Sequence, residues 1–105
     1  MNIIFRTNYF DEWLACLKDF EGKRRIEARI DNAIEGNFGD VQFVGDGVFE
    51  MRIHAGAGYR LYYCRRGTFV YLLLIGGGKN TKKDQTRDIE RAKAIKKEAE
   101  EDGKW

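Results

Sequence analysis

Two periodicities divide this chain. Phe10, Trp13, Leu14 and Leu17 recur at helical spacing, and Asp11 and Glu12 suit the positive end of a helix. They predict a first helix over about 9–19, broken by Gly22. Ile26, Ile30, Ala33 and Ile34 stripe a second helix over about 23–35, with Gly36 as its C-terminal cap. The two form a helical hairpin joined near Gly22. After the turn GNFGD (36–40) the period falls to two. VQFV (41–44) is a short strand, and Gly45-Asp46-Gly47 turns into a strand over 48–54. There Phe49, Met51 and Ile53 share one side, and Glu50, Arg52 and His54 the other. A loop near Ala55-Gly56-Ala57 leads to a strand over 58–65, and Arg66-Gly67 turns into 68–75. TFVYLLLI is apolar on both faces, so it belongs inside the sheet with cover on both sides. Gly76-Gly77-Gly78-Lys79 then closes the sheet. Thr81 and Asp84 have the spacing of a capping box and open a last helix over about 82–101. Its apolar stripe is thin (Ile89, Ala92, Ile95, Ala99), which predicts weak docking, or docking on a partner.

These elements predict one α+β domain over 1–105. Two N-terminal helices pack on a small antiparallel sheet of three to four strands, and a C-terminal helix follows. Trp13 belongs to the core, and Trp105 is expected to be a loose end. The register of the central hairpin follows from its faces. A three-residue loop at 55–57 sets Arg52 opposite Arg60 and Glu50 opposite Tyr62, keeping apolar and polar faces separate. It also sets two arginines side by side, which costs stability unless an anion lies between them. The face carrying Glu50, Arg52, His54, Arg60 and Tyr62 is expected to be solvated.

Composition narrows the classes. The chain has 105 residues, 43% hydrophobic and 34% charged, with net charge +2. That is enough for one modest core. No apolar run is long enough for a membrane span or a signal peptide. Cys16 and Cys64 fit no metal spacing and read as reduced thiols of a cytoplasmic protein. No cofactor or metal is expected. The basic residues are placed unevenly. Arg52, Arg60, Arg65 and Arg66 lie in the hairpin region, and Lys79, Lys82 and Lys83 follow the last strand. A local basic surface on a near-neutral chain suits a specific anion site.

Those residue types suit cleavage of RNA without a metal. The 2′-hydroxyl attacks the adjacent phosphorus, one group accepts its proton, and another protonates the departing 5′-oxygen. Cations stabilise the charge that builds on phosphate, and arginine holds two phosphate oxygens in its planar fork. Arg52 and Arg60 are the candidates, with Lys79 as a third cation. His54 or Glu50 is the proton carrier. The first amides of the last helix add anion affinity. Tyr62, Arg65, Arg66, Lys82 and Lys83 are candidate RNA contacts. Cys64 shares the arginine face by parity, without a base beside it in sequence.

Three segments carry a resemblance: FDEWLACLKDFEGKRRIEARI, GNFGDVQFVGDGVFEMRIHAGAGYRLYY and LLLIGGGKNTKKDQTRDIERA. Over about residues 5–98 the chain resembles the RelE/ParE toxin superfamily, in its HigB-like branch of addiction module killer and phage Gp49-like proteins. The resemblance implies a RelE-like fold and the toxin of a type II toxin–antitoxin pair. Its partner would be a cognate antitoxin, usually a helix-turn-helix protein. It implies a ribosome-dependent endoribonuclease, an mRNA interferase that cuts messages in the A site and inhibits translation. Arg60 in GYR matches the family's strand arginine, Arg52 a basic residue on the preceding strand, and Lys79 the one after the glycine turn. The chain departs where RelE-like enzymes carry a second basic residue, since Glu50 stands there. It also offers Asp84 and Gln85 where they often have a tyrosine, which leaves His54 and Asp84 as substitutes. Two other readings stand beside this one: a ParE-like toxin acting on DNA gyrase, and a non-catalytic binding module descended from a toxin.

Overall fold

The computed structural model describes residues 1–78 and 81–105. The element order is β1 (Ile3–Arg6), α1 (Asn8–Cys16), α2 (Phe20–Ile34), β2 (Val41–Gly45), β3 (Val48–Ile53), β4 (Tyr59–Arg66), β5 (Val70–Gly78) and α3 (Lys82–Glu101). Thr7 starts α1, its hydroxyl accepting the Phe10 amide at 3.0 Å. Asp19 starts α2, its carboxylate accepting the Gly22 amide at 3.0 Å. Gly22 therefore sits in the first turn of α2 and does not break the chain between the helices. A Cβ there would lie 2.6 Å from both Asp19 Oδ2 and the Tyr59 ring. The glycine leaves room for the cap and for the sheet beneath it.

The sheet has five strands in the order β1-β5-β4-β3-β2, where three to four were expected. The α+β class stands, but the sheet is mixed. β1 runs parallel to β5, pairing Ile3 with Val70 and Arg6 with Leu73, and the other neighbours are antiparallel. Four residues of IIFR are too few to display a period, and their partner comes far later in the chain. The central hairpin has the predicted register: Arg52 pairs with Arg60 and Glu50 with Tyr62. Thr81 and Asp84 form the capping box that opens α3.

Both faces of the sheet are covered. α1 and α2 bury Phe10, Leu14, Ile26 and Ile30 against Met51, Leu61, Tyr63 and Leu73. On the other face α3 buries Ala92 and Ile95 against Val48, Tyr62, Cys64, Leu72 and Leu74. The thin stripe of α3 thus docks on its own sheet. Leu72 and Leu74 each gain about 2 kcal/mol on leaving water, which offsets the narrowness of the helix stripe. The face expected to be solvated is instead the floor under this helix. Trp105 is no loose end either: it packs beside the second core, with the Arg66 guanidinium 4.6 Å from its ring centre. Among the described residues no helix is long and apolar enough to cross a membrane.

The glycine run has a packing origin. Gly76–Gly78 extend β5 and do not merely close it. A Cβ on Gly76 would lie 2.2 Å from the Trp13 ring, and one on Gly77 would lie 2.4 Å from Asp88 Oδ2. One helix side chain presses on each face of the strand where a side chain would stand.

Candidate functional site

β3 and β4 set Glu50, Arg52, Arg60 and Tyr62 on one face, where the first turns of α3 meet the sheet. Glu50 is 0% exposed, a charged residue buried in the fold. Arg52 Nε donates to its Oε1 at 3.0 Å. Tyr62 Oη donates to Oε2 at 3.0 Å, and Gln85 Nε2 from α3 donates to the same oxygen at 2.9 Å. Arg60 Nε lies 3.9 Å from Oε2. Every neighbour is a donor, which is the complement of a carboxylate. The anion needed between the paired arginines is thus the protein's own Glu50.

The pair is nonetheless unequal. Arg52 also donates from Nη2 to Gln42 Oε1 on β2. Arg60 is 24% exposed, and its Nη1 is buried without a hydrogen-bond partner among the described residues. A buried donor left unpaired costs about 1–3 kcal/mol. Arg52, His54 and Arg60 line a cavity of about 190 Å³ beside the hairpin loop. His54 stands just past β3 with its side chain 75% exposed, and its Nε2 lies 2.7 Å from Asp40 Oδ2. That bond, above all, holds the Asp40 carboxyl below the usual carboxylate range.

Other candidates fall elsewhere. Tyr62 is fully buried under α3, so it has no face to offer a base and serves as a donor to Glu50. Burial first, then the Glu50 charge, pushes its phenol far above the ordinary value and keeps it protonated. Arg65 and Arg66 lie toward the opposite end of β4, about 16–20 Å from Arg60 along the strand. The Arg65 guanidinium lies over Phe49 at 5.7 Å, and that of Arg66 over Trp105. Lys82 and Lys83 are exposed in the first turn of α3, one turn from Gln85. Asp84 is engaged in the cap with Thr81 and in an ion pair with Arg87 at 3.1 Å. Lys79 lies outside the described residues. Cys64 is buried, which pushes its thiol up to about 12 and leaves it a poor nucleophile. Cys16 is free and exposed.

Three supporting residues escaped the sequence reading. Gln42 had a usable signal, since the Gly45-Asp46-Gly47 turn pairs it with Glu50. Asp40 had none, because it lies outside any strand. Arg29 reaches from α2 to the carbonyls of Arg52 and Phe38 at 2.6 and 2.7 Å. Gly39, at φ +70°, clears the way: a Cβ there would lie 2.6 Å from the Arg29 guanidinium.

Residues 12–97 match the family described as phage derived protein Gp49-like (DUF891). The chain belongs to the Gp49-like family. That family is part of the RelE/HigB-like toxin group and is associated with toxin–antitoxin modules, which implies an antitoxin partner. This Gp49-like chain is also 45% identical over 99 residues to an uncharacterised protein of Haemophilus influenzae (strain ATCC 51907 / DSM 11121 / KW20 / Rd). The match covers 93% of this chain and 97% of that protein.

Proposed function

We propose that this chain is an addiction module killer of the HigB-like branch, a toxin that cuts messenger RNA on the ribosome without a metal and so stops translation. Its antidote would be a helix-turn-helix antitoxin. The observation that carries the reading is the arginine pair held by Glu50, with Arg52, His54 and Arg60 lining one cavity. A phosphate seated there lies against both arginines. The charge gathering on its oxygens then meets two guanidinium groups already fixed in place.

His54 is the proton carrier in this scheme. With Asp40 ionised, the short contact requires a proton on Nε2, which leaves Nδ1 as the acceptor for the 2′-hydroxyl proton. Glu50 is excluded from that role by its burial and acts by holding the arginines. Arg52 and Arg60 supply the electrostatic contribution together, and the small size of the chain fits an enzyme whose substrate is positioned by the ribosome.

The test is expression of the wild type and of Arg60→Ala in growing bacteria, with message 5′ ends mapped across the transcriptome. New ends within codons of translated messages, lost in the variant, are expected. Growth arrest with DNA damage and no new ends would replace this reading with gyrase poisoning. No arrest from the wild type would leave a binding module.

A further inference from the structure

Past Leu73 the outer edge of β5 has no strand beside it among the described residues. β1 pairs with Val70–Leu73 and ends where Thr7 caps α1. The Thr7 amide reaches the Leu73 carbonyl at 3.0 Å, and its hydroxyl reaches the Leu74 carbonyl at 2.7 Å. Residues 75–78 stay paired with β4 on the inner side, from Tyr62 with Ile75 to Tyr59 with Gly78. Among the described residues no backbone bond serves their outer side. Unpaired amides and carbonyls in a row are a template for another extended chain.

Two helices wall this edge. On the first core's side stand Trp13 and, at the end of α1, Cys16 and Leu17. On the other side stand Arg87 and Arg91 of α3. The cleft between them holds about 650 Å³, within the usual range for a binding cleft. The bare glycines leave its floor as backbone alone. We propose that the cleft takes an extended segment of a partner polypeptide as an added strand along 75–78.

The walls define the chemistry of that segment. Side chains of an added strand point alternately to the two faces of the sheet. One set meets Trp13 and Leu17 and is apolar. The other meets Arg87 and Arg91, which outnumber Asp88 on that wall, and is acidic. Glu12 on the α1 side repels an acid there, which fixes the alternation. Arg87 is 70% exposed and, among the described residues, pairs with acids of its own helix, and Arg91 lies over the Tyr9 ring at 5.8 Å, so both can turn toward a carboxylate. A nucleic acid fits less well, because it has no peptide groups for the edge.

The inference does not rest on ribonuclease activity. A phage-displayed library of random nonapeptides is selected on the full chain. Selected peptides are expected to alternate apolar and acidic residues and to slow amide exchange at 75–78. Arg60→Ala should bind them unchanged. The double variant Arg87→Glu, Arg91→Glu should weaken them at least about tenfold and select lysine instead. A bulky maleimide on Cys16, the exposed thiol, should block them in the otherwise unaltered chain. A library that yields no such peptide would overturn the proposal. So would peptides that ignore the Cys16 adduct or leave 75–78 unprotected, or a single-stranded RNA probe that protects those amides where no peptide does.

Discussion

At one end of β4, Arg60 lies against a buried carboxylate and keeps one nitrogen without a partner among the described residues; toward the other, Arg65 and Arg66 lie over aromatic rings. The residue type, the strand and the formal charge are the same. What differs is the support. A guanidinium over a ring is held by its flat face and leaves its donors to water. Arg60 is held edge-on by Glu50, which is itself fixed by Tyr62 and by Gln85 of α3. A basic stretch in a sequence therefore contains arginines of two kinds, and the kind is set by neighbours that are distant along the chain.

Four substitutions sharpen that contrast. The largest effect is expected at Arg60→Ala, which should lower message cleavage by about a hundredfold or more in a purified translation system. Arg65→Ala should stay within about twofold in the same assay, because its ring contact is far from the cavity. Equal losses would erase the distinction between the two ends. Next comes Glu50→Gln, whose amide turns donors toward donors. Loss of a partner in a buried pair costs about 3–5 kcal/mol when both ions are buried. Here Arg52 and Arg60 are partly exposed, so about 2 kcal/mol is expected in urea unfolding, together with reduced cleavage. A variant as stable as the wild type would show that the carboxylate does not anchor the pair. Arg66→Ala should cost about 0.5–1 kcal/mol, the worth of an exposed cation–π contact, and leave cleavage intact.

The smallest effect concerns pH. Asp40, held down by the His54 bond, stabilises the fold above its ordinary value of 3.8 and loses that contribution as pH falls through its lower folded value. Urea midpoints should therefore fall more steeply below about pH 4 in the wild type than in Asp40→Asn, while Arg66→Ala keeps the wild-type slope. Parallel curves for Asp40→Asn and the wild type would mean that the His54 bond contributes nothing to the fold.

The legible parts of this fold were those with local signals. The α3 limits, the Thr81–Asp84 cap and the Arg52–Arg60 register all follow from spacings within one element or one hairpin. β1 was not legible, since four residues show no period and the pairing with Val70–Leu73 is remote. The start of α2 was misread because glycine is usually a helix breaker, whereas Gly22 is placed by the Asp19 cap and the Tyr59 ring. At the site, alternation found the right face but not its cover. Glu50 and Tyr62 have the same parity as Arg52, and only the docking of α3 divides the buried members from the open ones. His54 and Asp40 meet because Asp40 is tied to β3 by the Arg52 amide at 2.9 Å, a contact that no sequence pattern announces.

The parallel pairing of β1 with β5 also bears on the order of assembly. The first strand to leave the ribosome is among the last to find its place, because its neighbour is made only after β2, β3 and β4. Closing such a distant contact is slow, and the chain must stay partly unfolded while it waits. The Glu50 anchor waits longer still, since Gln85 follows β5. A chain under synthesis thus holds its hairpin arginines early, but the Glu50 anchor lacks its Gln85 donor until α3 arrives.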